Sequence, residues 1–155
     1  MLKALVPIDG TERALSAVKH VIQRVHDRET VDIHLLNVQM PFHGDVMTFV
    51  AKSDATDFHR EKGEECLAPA CALLDAEGLR YTKHIIVGHP ARVIAQYAKD
   101  LGCHEVIMGT HGYGTITQLL LGSVSHEAIH QMDPHIAVTL VKDGYAKPVA
   151  AGAKP

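Results

Sequence analysis

Residues 2–38 read LKALVPIDGTERALSAVKHVIQRVHDRETVDIHLLNV. Leu2 to Ile8 is a short apolar run stopped by Asp9-Gly10, the signature of a buried strand and a tight turn. From Thr11 to Arg28, Ala14, Leu15, Val18, Val21, Ile22 and Val25 recur at spacings of three and four, the stripe of an amphipathic helix lying on a sheet. Val31 to Val38 is again apolar and rich in β-branched residues. A helix between two strands buried on both faces requires a parallel pair with a right-handed crossover, so these residues alone set the class as α/β.

The pattern repeats outward. Ser53 to Glu77 carries a helical face of Phe58, Leu67, Ala70, Cys71 and Leu74, with Pro69 inside it expected to kink or break the helix. Tyr81 to Val87 reads as strand three, and Gly88-His89-Pro90 as a turn with proline at a helix start. Val93, Ile94, Tyr97, Ala98 and Leu101 form the next stripe. Glu105 to Met108 is strand four, Gly109 to Leu121 a glycine-containing loop with one helical turn at Thr117 to Leu121, and Ser123 to Met132 the last helix. His135 to Val141 is strand five, expected at an edge. Gln39 to Lys52 has no sustained period, and residues 143–155 read as a flexible tail behind a domain spanning 1–142.

Composition narrows the function. The 155 residues suit one domain, and 46% hydrophobic against 21% charged residues suffices for a core. A net charge of −3 is wrong for a broad nucleic-acid grip. Three cysteines without C-x-x-C spacing suggest neither a disulfide framework nor a thiolate zinc site. No run is long enough to span a bilayer and no cleavable signal opens the chain, so a cytoplasmic protein with no membrane or nucleic-acid partner is expected. Twelve histidines and a pI near 6.4 imply a charge swing in mild acid.

The loop after strand four carries the chemistry. Gly109-Thr110-His111-Gly112 is followed, nine residues on, by Gly122-Ser123-Val124-Ser125 at a helix start. Glycines let an anion approach the backbone, and a helix's first turn offers unpaired N–H groups at its positive end. The Ser123 and Ser125 hydroxyls and the His111 ring can donate to phosphate oxygens. Equally, the glycines can serve turning and packing, and the serines can cap the helix. Position favours the phosphate cradle, because open α/β sheets bind ligands beyond the carboxyl ends of their strands, where strand order reverses. Asp9, at the same rim, can accept from ribose hydroxyls or adenine, or form a capping box with Glu12, and the ligand and capping roles can coexist.

The pattern G-x2-G-x9-G-S at Gly109, Gly112, Gly122 and Ser123 resembles the ATP-binding motif of the universal stress protein family. Val6-Pro7-Ile8-Asp9-Gly10-Thr11 and Gly88-His89-Pro90-Ala91 resemble that family too, over Leu2 to Val141. The resemblance implies a doubly wound, Rossmann-like, five-stranded parallel sheet in the order 3-2-1-4-5 with helices on both faces, and a homodimer through strand five. It also implies binding of ATP, or ADP or AMP, with Mg2+ or Mn2+ shared among phosphate oxygens. Carried over by position, Pro7, Asp9 and Val38 would contact adenosine, Val38 through its backbone, while Met108, Gly109, Gly112, Gly122, Ser123, Val124 and Ser125 would surround ribose and phosphates. Strand five departs from the family's usual Pro-Val-Leu-Val-Val run, with His135-Ile136-Ala137-Val138 after Pro134. Tyr113-Gly114 adds a glycine to the loop.

A nucleotide-dependent stress sensor or regulator of a partner protein is therefore expected. With no lysine at the phosphate loop, no arginine finger and no marked base, the usual parts for fast hydrolysis are missing. Slow hydrolysis or autophosphorylation on Ser123 or Ser125 is the enzymatic alternative. His126-Glu127-Ala128-Ile129-His130 matches the zincin pattern H-E-x-x-H, but without a marked third ligand it reads as surface histidines on the last helix. His20, His26, His34, His43, His59, His84, His89 and His104 lack ligand spacing, and most read as solvent-facing or cap-like. Cys66 and Cys71, five apart on a helix, read as packing residues.

Overall fold

The computed structural model describes residues 1–42, 52–110 and 123–142. In chain order the elements are β1 (Leu2–Pro7), α1 (Glu12–His26), β2 (Val31–Gln39), α2 (Lys52–Ala76), β3 (Tyr81–Val87), α3 (Pro90–Asp100), β4 (Glu105–Thr110), α4 (Ser123–Gln131) and β5 (Ala137–Lys142). The strands form one sheet in the order β3-β2-β1-β4-β5, and every neighbouring pair is parallel. This is the doubly wound α/β sheet that the resemblance implies. The helical turn at 117–121, the Tyr113-Gly114 step, most of the 39–52 stretch and the 143–155 tail lie outside the described residues.

The strands read as unbroken apolar runs because both faces are covered. Ala4, Val6, Ile8, Ile33, Leu35 and Ile107 pack beneath α1 and α2, which bring Val18, Val21, Leu67 and Leu74. On the other face Leu5, Leu36, Val106 and Met108 meet α3 and α4 through Ala91, Ile94, Ala98 and Ala128. Alternate residues of one strand thus enter two different cores. Leu5, Leu35 and Leu36 have no exposed surface, and truncating any of them to alanine is expected to cost about 2–5 kcal/mol.

Several local expectations are corrected. α2 runs continuously through Pro69 across 25 residues, so the proline does not break it. The Asp9–Glu12 capping box does not form. The N-cap of α1 is Thr11, without a side-chain cap bond, and the Asp9 carboxylate instead accepts from Thr11 N at 3.0 Å and Thr11 Oγ1 at 2.5 Å. The scattered histidines are not uniformly solvent-facing, since His34 and His59 are buried at 8% and 7% exposure. His34 Nδ1 and His84 Nε2 lie 2.9 Å apart, and His84 Nδ1 lies 2.9 Å from the Tyr97 hydroxyl.

Proline placement shapes the sheet where it matters most. Leu2 N and Ile8 N donate toward β2, to Thr30 O and Leu36 O, whereas Lys3 N donates toward β4, to His104 Nδ1. Odd residues of β1 therefore point their N–H groups at β4, and Pro7 has none to offer. The β1–β4 register runs through Ala4↔Glu105 and Leu5↔Val106 only, while β1–β2 continues to Pro7↔Leu36. The missing donor falls where the strands part, which is also where the strand order reverses.

Candidate functional site

The parting of β1 and β4 opens into a cleft of about 230 Å3. Pro7, Ile8 and Asp9 line it from the end of β1, Leu36 and Val38 from β2, and Met108, Gly109 and Thr110 from β4. Arg13 and Ala14 come from α1, Pro90 and Ile94 from α3, and Ser123, Val124 and Ser125 from α4. In a parallel sheet each helix that follows a strand begins at the carboxyl rim. Three helix starts therefore converge here, each with unpaired N–H groups and a positive dipole end.

The polarity of the wall is divided. Leu36, Val38, Pro90, Ile94 and Met108 make an apolar slot, and Asp9, Arg13, Thr110, Ser123 and Ser125 supply polar groups. Burial opposes ionisation of Asp9, but the two hydrogen bonds from Thr11 and the guanidinium of Arg13 outweigh it and hold the carboxyl below its usual range. Arg13 Nη2 stands 3.4 Å from Asp9 Oδ2. Asp9 is thus an ionised acceptor beside a cation, at the mouth of an apolar slot.

A residue of β2 sets this corner. Asn37 is 2% exposed, and its Nδ2 donates to the Ile8 carbonyl at 2.7 Å, while Gln39 Nε2 donates to Asn37 Oδ1 at 2.7 Å. The buried amide ties β2 to the backbone immediately before Asp9 and so fixes where the carboxylate can reach.

Of the residues singled out in the sequence, Pro7, Asp9, Val38, Met108, Gly109, Ser123, Val124 and Ser125 all line this one cleft. His111, Gly112 and Gly122 lie outside the described residues. Gly109 is a strand residue and not a turn. Ser123 and Ser125 lie within α4, so neither is seen as its N-cap among the described residues. Sequence reasoning missed Arg13, Thr110, Pro90 and Ile94 as wall residues, and Asn37 behind them. Only Asn37 carried a legible signal, an amide set between the apolar residues Leu35-Leu36 and Val38.

The H-E-x-x-H pattern does fall on a helix. His126 and His130 are exposed on α4 with ring centroids 4.7 Å apart, and Glu127 Oε1 accepts from Gln131 Nε2 at 3.2 Å. Among the described residues no group of three or more His, Cys, Asp or Glu is placed to hold a metal ion, and no helix is long and apolar enough to cross a membrane.

Comparison with known proteins agrees with this geometry. The family model described as the universal stress protein family matches residues 1–142. Universal stress protein MJ0531 of Methanocaldococcus jannaschii is 28% identical over 142 residues, covering 90% of this chain and 81% of the relative. The solved structure of MJ0577 from the same organism is similar with a TM-score of 0.70 at 28% identity, covering 93% of this chain and 97% of that one. An Arabidopsis thaliana member of the family, solved with AMP bound, shares the fold with a TM-score of 0.65 at 18% identity over 100% of both chains.

Proposed function

The chain belongs to the universal stress protein family, and from that premise we propose that it binds an adenine nucleotide, ATP or its ADP or AMP relatives, and signals nucleotide occupancy to a partner protein. The observation that carries this reading is the divided wall of the cleft. The slot of Val38, Ile94 and Met108 suits the faces of a purine, and Asp9 suits ribose hydroxyls as an acceptor. The first-turn N–H groups of α4, the Ser123 and Ser125 hydroxyls and the Arg13 guanidinium suit phosphate oxygens. His111, Gly112 and Gly122 would complete the phosphate end. The AMP-bound relative supports the same class of ligand.

Asp9 is the one carboxylate among the described lining residues, so Mg2+ or Mn2+ at this site would be held chiefly by phosphate oxygens. Binding fits better than fast turnover. Asp9 and Arg13 are the titratable groups of the described wall, and a carboxylate already stabilised by donated hydrogen bonds is a poor base for water. The nucleotide unit is residues 1–142, with a second copy joined along the outer edge of β5 as a cytoplasmic homodimer.

The test is to purify the protein without added nucleotide, denature it, and identify the released small molecules by chromatography and mass. Arg13→Ala and Ser123→Ala should weaken binding of added ATP while leaving the thermal unfolding midpoint nearly unchanged. Absence of a co-purifying adenine nucleotide, together with no saturable binding of ATP, ADP or AMP, would refute the reading.

A further inference from the structure

Helix α4 turns Ala128 and Ile129 toward the sheet and leaves His126 and His130 exposed on its outer side. The two rings lie one helical turn apart, with centroids at 4.7 Å and planes inclined by 63°. Among the described residues the two rings contact each other, and no hydrogen bond or ion pair occupies their nitrogens. Two imidazoles at this spacing can each present one nitrogen to a single ion at about 2.0–2.1 Å. Glu127, the intervening acid, is held along the helix surface by Gln131.

We propose that His126 and His130 form a two-imidazole chelate for a divalent transition-metal ion of the Zn2+, Cu2+ or Ni2+ class, with solvent filling the remaining positions. Imidazole nitrogen suits these ions and leaves Mg2+ and Ca2+ to oxygen ligands, so the site is chemically separate from any ion carried on phosphate oxygens. Because no third His, Cys, Asp or Glu joins the pair among the described residues, the ion is exchangeable and the site is not a hydrolytic centre. The ion also has a structural effect. It links residues four apart in a helix of nine residues, well below the length of roughly 12–15 at which isolated helices become marginally stable. The first residues of the same helix line the cleft, so loading the chelate stiffens one wall of it.

The experiment titrates full-length, chelator-stripped protein with NiCl2 and ZnCl2 by calorimetry, alongside His126→Ala and His130→Ala. One ion per chain is expected, with affinity falling on the order of a hundredfold in either variant, since each removes half of a chelate. Both side chains are exposed, and circular dichroism should confirm that both variants fold. Because the chain has 12 histidines, a second readout locates the ion: substoichiometric Cu2+ should broaden the His126 and His130 imidazole NMR signals before any others. Unchanged titration in both variants, loss in only one, or first broadening at other histidines overturns the proposal. Saturable MgCl2 binding that either variant abolishes would also overturn it.

Discussion

A Cβ placed on Gly109 would lie 1.9 Å from the carbonyl oxygen of Arg13. The first turn of α1 therefore presses on β4 at a point where only hydrogen fits. The contact brings Arg13 and the end of β4 to the same side of the cleft. Gly109 lacks a side chain first because a helix needs the space, whatever ligand lies beyond.

Gly109→Ala should accordingly disturb the empty protein as well as its ligand binding. The overlap is with backbone, so α1 or β4 must shift, at an expected cost of about 1–3 kcal/mol. Thermal unfolding without nucleotide measures this directly. An alanine variant that melts with the wild type yet binds no ATP would show that glycine is needed only for the ligand, contrary to the contact with Arg13.

Asn37→Ala should loosen the corner that holds Asp9. The substitution leaves the Ile8 carbonyl without its donor in a buried position, which typically costs about 1–3 kcal/mol. Urea unfolding should show that loss, and nucleotide affinity should fall too because Asp9 follows Ile8 directly. Asn37→Asp should do no better, since an ionised carboxylate cannot donate to the carbonyl.

Much of this architecture is legible in the amino-acid sequence. Strand and helix periods exposed the α/β order because a sheet covered on both faces leaves continuous apolar runs between amphipathic stripes, and Tyr81–Val87 was delimited residue for residue. Rim residues such as Asp9 and Ser123 were legible because each directly follows a strand or opens a helix. Ile94 belongs to an apolar helical stripe, and such an i, i+4 stripe is the same whether it faces a neighbouring helix or a cleft. Arg13 lies outside the apolar stripe of its helix, and only the packing of α1 on β4 brings it to the cleft. His34 and His84 are fifty residues apart, and what joins them is register. Leu36 pairs with His84 and His34 with Thr82, which makes the histidines diagonal neighbours on one face. No spacing along the chain reveals that.

Arg28→Gly should stabilise the protein. Helices α2 and α3 both end with a glycine in the left-handed region, Gly78 and Gly102 at φ +66, each closing the chain with the same pair of backbone bonds. The end of α1 repeats the motif, with Arg28 N bonded to Val25 O and Glu29 N to Arg24 O, yet it places arginine at φ 70. A side chain there costs about 1–2 kcal/mol, part of which glycine recovers after its own entropy loss. A gain of about 1 kcal/mol would raise the midpoint by roughly 2–4 °C in a chain of this size. An unchanged or lower midpoint would mean that Arg28 makes compensating contacts.

Stability should also fall on mild acidification through the half-buried His34–His84 pair. Burial, and then the neighbouring His34, push the His84 pKa below its ordinary 6.5. The unfolded chain therefore binds a proton at His84 more readily than the folded one. The contribution is complete above pH 6.5 and is lost as the pH drops below 6.5 toward the depressed folded value. On the far side of His34, Nε2 lies 3.2 Å from Asp32 Oδ2 without a hydrogen bond. Urea midpoints measured from pH 8 to pH 5 should decline most steeply below 6.5, and His84→Gln should flatten that decline while retaining a partner for the Tyr97 hydroxyl. If His84→Gln keeps the full acid sensitivity of the wild type, the decline originates at other histidines and the pair is not its source.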